Sequence, residues 1–177
     1  MMRPPQSPGS PDCFQTPPIA LEPLYPHLKK EWIIWEPACG TGQLSTALAK
    51  RGFTVRGTDI IGGFDFLTFE PEHFDCIVTN PPYSLKEEFL KRCYALGKPF
   101  ALLLPLTALE GQERQPLFEK HGVEIIIFDK RINFVTPEGK QASGSWFMTA
   151  WFTWGLNIGK QLTFAKLRDT KQQVLEA

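Results

Sequence analysis

From Glu31 onward the chain alternates short apolar runs of strand length with segments whose apolar residues recur at helical spacing. No other feature constrains the fold as much, because strands separated by helices build βαβ units and a parallel sheet. The strand-type runs are Trp32–Trp35, Phe53–Thr58, Phe74–Thr79, Phe100–Leu104, Val123–Phe128 and Trp146–Trp154, with a shorter piece at Gln161–Phe164. The helical segments are Gln43–Arg51, Leu85–Leu96 and Gln112–His121. FALLL at Phe100–Leu104 and VEIIIF at Val123–Phe128 are apolar almost throughout, as strands covered on both faces are. The expected class is α/β: a mostly parallel sheet flanked by helices.

Before Glu31 the pattern is different. Residues 1–11 (MMRPPQSPGSP) are Pro-rich and read as a disordered arm. Residues 12–30 carry enough apolar side chains to dock on a core, with Pro23 and Pro26 breaking any helix there. Residues 12–166 are expected to form one domain, and residues 167–177 a polar tail. No apolar run approaches the roughly 20 residues that span a bilayer, and no signal-peptide pattern opens the chain, so a cytoplasmic protein with no membrane partner is expected. Lys+Arg and Asp+Glu both number 19, which excludes a uniform polyanion-binding coat and leaves room for a local basic strip. Cys13, Cys39, Cys76 and Cys93 form no CxxC pair, so no metal site is expected.

Two strand ends carry the chemistry. The first is Glu36-Pro37-Ala38-Cys39-Gly40-Thr41-Gly42, which follows a strand and opens a helix. Gly40 and Gly42 let a ligand lie against the main chain at the carboxyl edge of the sheet. Asp59, at the end of the next strand, is placed to accept hydrogen bonds from a ribose diol, with Ile60 beside it. Asp65-Phe66 would bond and stack on an adenine. The run Gly40-Thr-Gly42-Gln-Leu-Ser45 lacks the third glycine of a dinucleotide fingerprint, and no P-loop is present. An acidic Glu36 would repel a pyrophosphate but suits a cationic amino-acid moiety. Those charges favour S-adenosylmethionine as the cofactor.

The second strand end is Asn80-Pro81-Pro82-Tyr83, after the buried run Asp75–Thr79. An exocyclic aromatic amine is a poor nucleophile because its lone pair is spread into the ring. The Asn80 side-chain oxygen and the Pro81 carbonyl can accept both of its N–H bonds and turn the lone pair toward a methyl donor. Pro81 and Pro82 hold that carbonyl in place, and Tyr83 offers a flat surface for the base. Such a reaction needs positioning more than a general base, since the alkylated nitrogen loses its proton readily.

With these residues in view, the sequence resembles the amino-group DNA methyltransferases of the adenine-N6 type, most of all their compact phage and prophage members. EPACGTG at Glu36–Gly42 matches the family's cofactor loop, and NPPY at Asn80–Tyr83 its catalytic tetrapeptide. DCFQTPP at Asp12–Pro18 is similar to its N-terminal segment. The resemblance implies that Phe14, Thr16 and Pro17 close over the methionine end of the cofactor. It also implies the Rossmann-like fold of class I methyltransferases, with one antiparallel strand near the aromatic segment. Two departures stand out. Only 15 residues separate Asp59 from Phe74, too few for the usual crossover helix, and no target-recognition domain fits.

DNA is the expected partner, its adenine flipped out or unpaired. Candidate contacts are Lys130, Arg131, Phe134 and Lys140, in a segment from Asp129 that carries an excess of basic residues. NPPY also occurs in enzymes acting on RNA adenine or on a protein glutamine amide. Those activities, and a catalytically silent cofactor-binding subunit, are the alternatives.

Overall fold

A computed structural model of the protein describes residues 15–135 and 147–167. Seven strands form one sheet in the order β2-β1-β3-β4-β6-β5-β7. They are β1 (Ile33–Glu36), β2 (Thr54–Gly57), β3 (Cys76–Thr79), β4 (Phe100–Pro105), β5 (Glu124–Phe128), β6 (Thr149–Trp154) and β7 (Leu162–Ala165). All pairings are parallel except the two made by β6, which runs antiparallel between β4 and β5. This is the mostly parallel sheet that the alternation of elements implied, with the Rossmann-like form and the single reversed strand in the aromatic segment that the resemblance implied.

The runs with no polar interruption became the central strands. All six residues of β4 and all four of β3 are buried, because β4 lies between β3 and β6 and helices or turns cover both faces. β2 and β7 sit at the edges, and their alternating exposure reflects it. Between β6 and β7 the chain passes the end of β5. The Glu124 carboxylate holds this crossing by accepting from the N–H groups of Ile158 (3.2 Å) and Gly159 (3.1 Å).

The helices are α1 (Gln43–Lys50), α2 (Lys86–Leu96) and α3 (Gln115–His121). α2 turns Phe89, Leu90, Cys93 and Tyr94 onto the sheet, together with an aromatic cluster around Trp35 and Phe66. The opposite face is covered by α1 and by residues 16–28. There the prolines prevent an α-helix, and the segment makes two 3-10 turns, Pro18–Leu21 and Tyr25–His27. Leu21 and Leu24 reach zero exposure, and the buried Trp151 indole N–H donates to the Ala20 carbonyl at 2.7 Å. An unpaired buried donor would cost about 1–3 kcal/mol, so this bond fixes where the segment docks.

Several sequence expectations shift at their ends. α3 begins at Gln115, three residues late, because a 3-10 turn (Leu106–Leu109) and a Gly111 turn precede it. β6 begins at Thr149, with Phe147 and Met148 exposed ahead of it and Trp146 outside the described residues. The usual crossover between β2 and β3 is reduced to the 3-10 turn Ile60–Gly62. The arm at 1–11 and residues 168–177 also lie outside the described residues. Among the described residues, no helix is long and apolar enough to cross a membrane.

Candidate active site

The carboxyl ends of β1, β3, β4 and β5 and the amino end of β6 meet at one edge of the sheet. The loop after β1 bends back there. Gly40 and Gly42 have φ of +51° and +82°, left-handed values that disfavour side chains. The loop is tied down by its neighbours. The Gly40 N–H donates to Asp59 Oδ2 at 2.8 Å, and the Cys39 N–H to the Thr58 carbonyl at 3.0 Å. The second Asp59 oxygen accepts from the Ile61 N–H at 3.0 Å. Asp59 therefore stands at the end of β2 where the sequence suggested, and in this state it orders the glycine loop.

Glu36 closes β1 and is 2% exposed. The Ser45 hydroxyl, one turn into α1, donates to its carboxylate. Burial pushes the Glu36 carboxyl up to about 8; the Ser45 hydrogen bonds oppose that rise, and the Asp59 charge adds to it. Burial thus favours the protonated carboxyl in the free protein. Burial, with the Glu36 and Asp59 charges behind it, also raises the Cys39 thiol. Cys39 is therefore a poor nucleophile.

Above this loop lies a strap, Gln15–Pro17. The Gln15 backbone pairs with Val135 through two hydrogen bonds of 2.8 and 2.9 Å. Its side-chain oxygen accepts from the Thr41 N–H (3.2 Å) and hydroxyl (2.9 Å). Under the strap is a cleft of about 20 Å³ lined by Gln15, Thr16, Glu36, Ala38, Cys39, Leu44 and Asn80. That space suits about one water molecule, so a larger ligand requires the Gln15 side chain to withdraw. A wider groove of about 540 Å³ runs on the other side of the strap along α1. Arg51, over the Tyr25 ring at 4.7 Å and paired with Glu22, lines it, and Gly42 is its single sequence-predicted residue.

β3 delivers Asn80 to the same cleft. The Asn80 Oδ1 is buried and has no hydrogen-bond partner among the described residues. Pro81 is buried, and Pro82 and Tyr83 are half-buried. The Lys86 ammonium donates to the Tyr83 carbonyl at 3.2 Å, and the Tyr83 ring meets Phe147 edge-on at 5.6 Å. Buried polar groups without partners are uncommon. Here the Thr16, Thr79 and Thr149 hydroxyls join Asn80 in lacking one, and all four residues lie at this edge. Each would cost about 1–3 kcal/mol if nothing bound there satisfied it.

The other sequence-predicted residues divide. Pro37 is buried and Ile60 is 49% exposed just beyond Asp59. Asp65 uses one oxygen to accept from the Leu67 N–H at 3.0 Å. Phe66 is 3% exposed and stacks on Phe89 at 4.4 Å, so its ring belongs to the core. Phe134 is 6% exposed and also packs into the core, whereas Lys130 and Arg131 are exposed just past β5. Phe14 and Lys140 lie outside the described residues. The sequence reading missed Gln15, which nothing in its type announced, and Ser45. Ser45 stands where a dinucleotide loop has its third glycine, and that position was its signal.

No protein-family model matches the chain, and no curated protein matches it. Solved structures do. One is a type I restriction-modification system methyltransferase subunit from Streptococcus thermophilus, with 18% identity and a TM-score of 0.56 over 87% of this chain and 47% of that one. Another is a predicted O-methyltransferase from Agrobacterium tumefaciens, with 16% identity and a TM-score of 0.50 over 85% and 84%. The chain thus spans about half the length of the restriction-modification subunit. The likeness is one of fold: this is the class I S-adenosylmethionine-dependent methyltransferase fold.

Proposed function

We propose that the protein transfers a methyl group from S-adenosylmethionine to the exocyclic N6 amine of adenine in DNA. The observation that carries this reading is the shared cleft: Asn80, with a buried unpaired oxygen, and Glu36, at the root of the glycine loop, line the same space. The donor set fits the cofactor. Glu36 can bind a cationic ammonium once its proton leaves, and Gly40 and Gly42 present bare backbone. When bound, the cofactor supplies an electrophilic methyl group on a sulfonium.

The rest of the chemistry falls to the chain. The Asn80 oxygen and the Pro81 carbonyl accept the two amine N–H bonds, and so aim the nitrogen lone pair into the cleft. Tyr83 supports the base by stacking, as aromatic rings do for unstacked bases. Ser45 keeps the Glu36 carboxyl oriented. Lys130 and Arg131 are exposed near this edge and suit a phosphate backbone. A restriction-modification subunit among the structures of like fold agrees with DNA as the substrate.

The test is transfer of labelled methyl to unmethylated duplex DNA, single-stranded DNA and total RNA, followed by nucleoside digestion and mass analysis. N6-methyladenine in DNA is the expected product. N6-methyladenosine confined to RNA would replace the substrate, and no transfer to any pool would overturn the reading.

A further inference from the structure

Among the described residues, two buried unpaired hydroxyls, Thr79 and Thr149, belong to neither the cofactor cleft nor the NPPY turn, and of these Thr79 follows Ile77 onto the α2 side of the sheet. Thr149 is 4% exposed, and its hydroxyl has no partner among the described residues. It opens β6, the one strand whose amino end lies at the active edge. Register locates it. Thr79 pairs with Leu102, so Asn80 stands level with Leu103, while Thr149 pairs with Pro105. Along β6 the side chains alternate between faces. Trp151 joins the core on the strap side and Phe152 the core on the α2 side. Thr149 therefore faces the strap side. By the same alternation so does Asn80, two residues after Val78.

Asn80 and Thr149 are thus polar groups on one face with no partner among the described residues, two strand spacings across the sheet and two residues along it, about 12 Å apart. β4 between them offers only Pro105 at the rim, which has no N–H to give. Phe147, 37% exposed and in contact with Tyr83, precedes Thr149 on the same approach. A planar base with its amine at Asn80 would extend its opposite ring edge across β4 toward Thr149.

We infer that Thr149 is a specificity-determining contact of the target base. Its hydroxyl donates a hydrogen bond to a ring nitrogen of the adenine, on the side away from the reacting amine. The inference rests on the adenine reading above and deepens it. A hydroxyl so placed rejects a base lacking the matching acceptor, because the hydroxyl then remains buried and unpaired.

The experiment combines protein and substrate deletions. Its substrate is a DNA duplex that the wild type methylates, with the target adenine replaced in turn by its 1-deaza, 3-deaza and 7-deaza analogues. Thr149→Val keeps the shape and removes the hydroxyl. It is expected to lower kcat/KM on adenine about 10- to 100-fold. One analogue should cost the wild type a similar factor and cost Thr149→Val nothing more, and Thr149→Ser should restore most of the rate. A merely structural role would reduce all four substrates alike. Thr149→Val within threefold of wild type, or losses that multiply for every analogue, would overturn the inference. Absence of N6-methyladenine from the wild-type reaction would instead overturn the adenine reading, and this contact with it.

Discussion

On the β1–β2 side of the active edge, the polar groups are engaged within the chain except the Thr16 hydroxyl of the strap. Asp59 accepts from Gly40 and Ile61, Glu36 from Ser45, and Gln15 from Thr41. On the β3–β6 side, Thr79, Asn80 and Thr149 have no partner among the described residues. The half proposed for the cofactor is held ready by internal hydrogen bonds, which a ligand must exchange. The half proposed for the acceptor keeps its hydrogen-bonding capacity open, at a standing cost in stability. A donor that is always the same molecule can be met by a preformed loop. An acceptor that must be drawn out of a polymer gains most from groups that nothing else satisfies.

Asn80→Ala is the largest expected break in this comparison. Removing an acceptor that works mainly in the transition state typically costs about 10²–10³ in kcat. Because Asn80 Oδ1 has no partner in the free protein, its removal orphans nothing, and the melting temperature should hold. Single-turnover rates measured beside cofactor affinity check both halves. An equal loss of cofactor affinity would move Asn80 to the other side of the comparison.

Glu36→Gln comes next, and its signs differ for binding and stability. The wild-type carboxyl is held protonated up to about pH 8, whereas in the unfolded chain it loses its proton near the ordinary carboxyl value of 4.5. A raised acid favours the folded state below the unfolded value, and that advantage is lost as pH rises through the folded one. Between about pH 4.5 and 8 wild-type stability should therefore fall, by at most about 1.4 kcal/mol per unit from this group. The Gln variant should not follow, so it should be the more stable protein at pH 8. Cofactor affinity runs the other way. In the wild type it should rise from pH 6 to 7.5 as the carboxylate becomes available. In Glu36→Gln it should be flat and about 10- to 100-fold weaker at the upper end, the worth of a hydrogen bond to a charged group. Calorimetric titration and thermal melts over that range read both; a pH-independent wild type would remove Glu36 as the cation's partner.

What was legible in the sequence follows the same division between local and distant. The positions of Gly40, Gly42, Asn80, Pro81 and Pro82 were legible because each is set by its own backbone or by a strand end. Phe66 does not, since its place is decided by Trp35 and Phe89, which close on it from distant segments. Phe134, drawn into the core beside Ile132, is the same case. The strap was legible as a docking segment from its apolar residues. Its anchor, the bond from Trp151 to Ala20 across 131 residues, was not. Nor was the lack of a partner at Thr149, which depends on what β4 and the strap leave uncovered.

The smallest effect tests whether the preformed half depends on the strap. Gly40 holds φ at +51°, and a Cβ there would run into Gln15 Nε2. The left-handed backbone should make Gly40→Ala cost about 1–2 kcal/mol. The steric contact is with the free end of a flexible side chain, so Gln15 should swing away from Thr41 and add little. Gln15→Ala alone should cost about 0.5–1.5 kcal/mol for its hydrogen bonds to Thr41. In the Gly40→Ala background it should cost less, because that latch is already open. Urea titrations of the two single variants and the double variant measure the coupling. Strict additivity would mean that the glycine loop keeps its shape without the strap, and that the bonds to Asp59 alone prepare it.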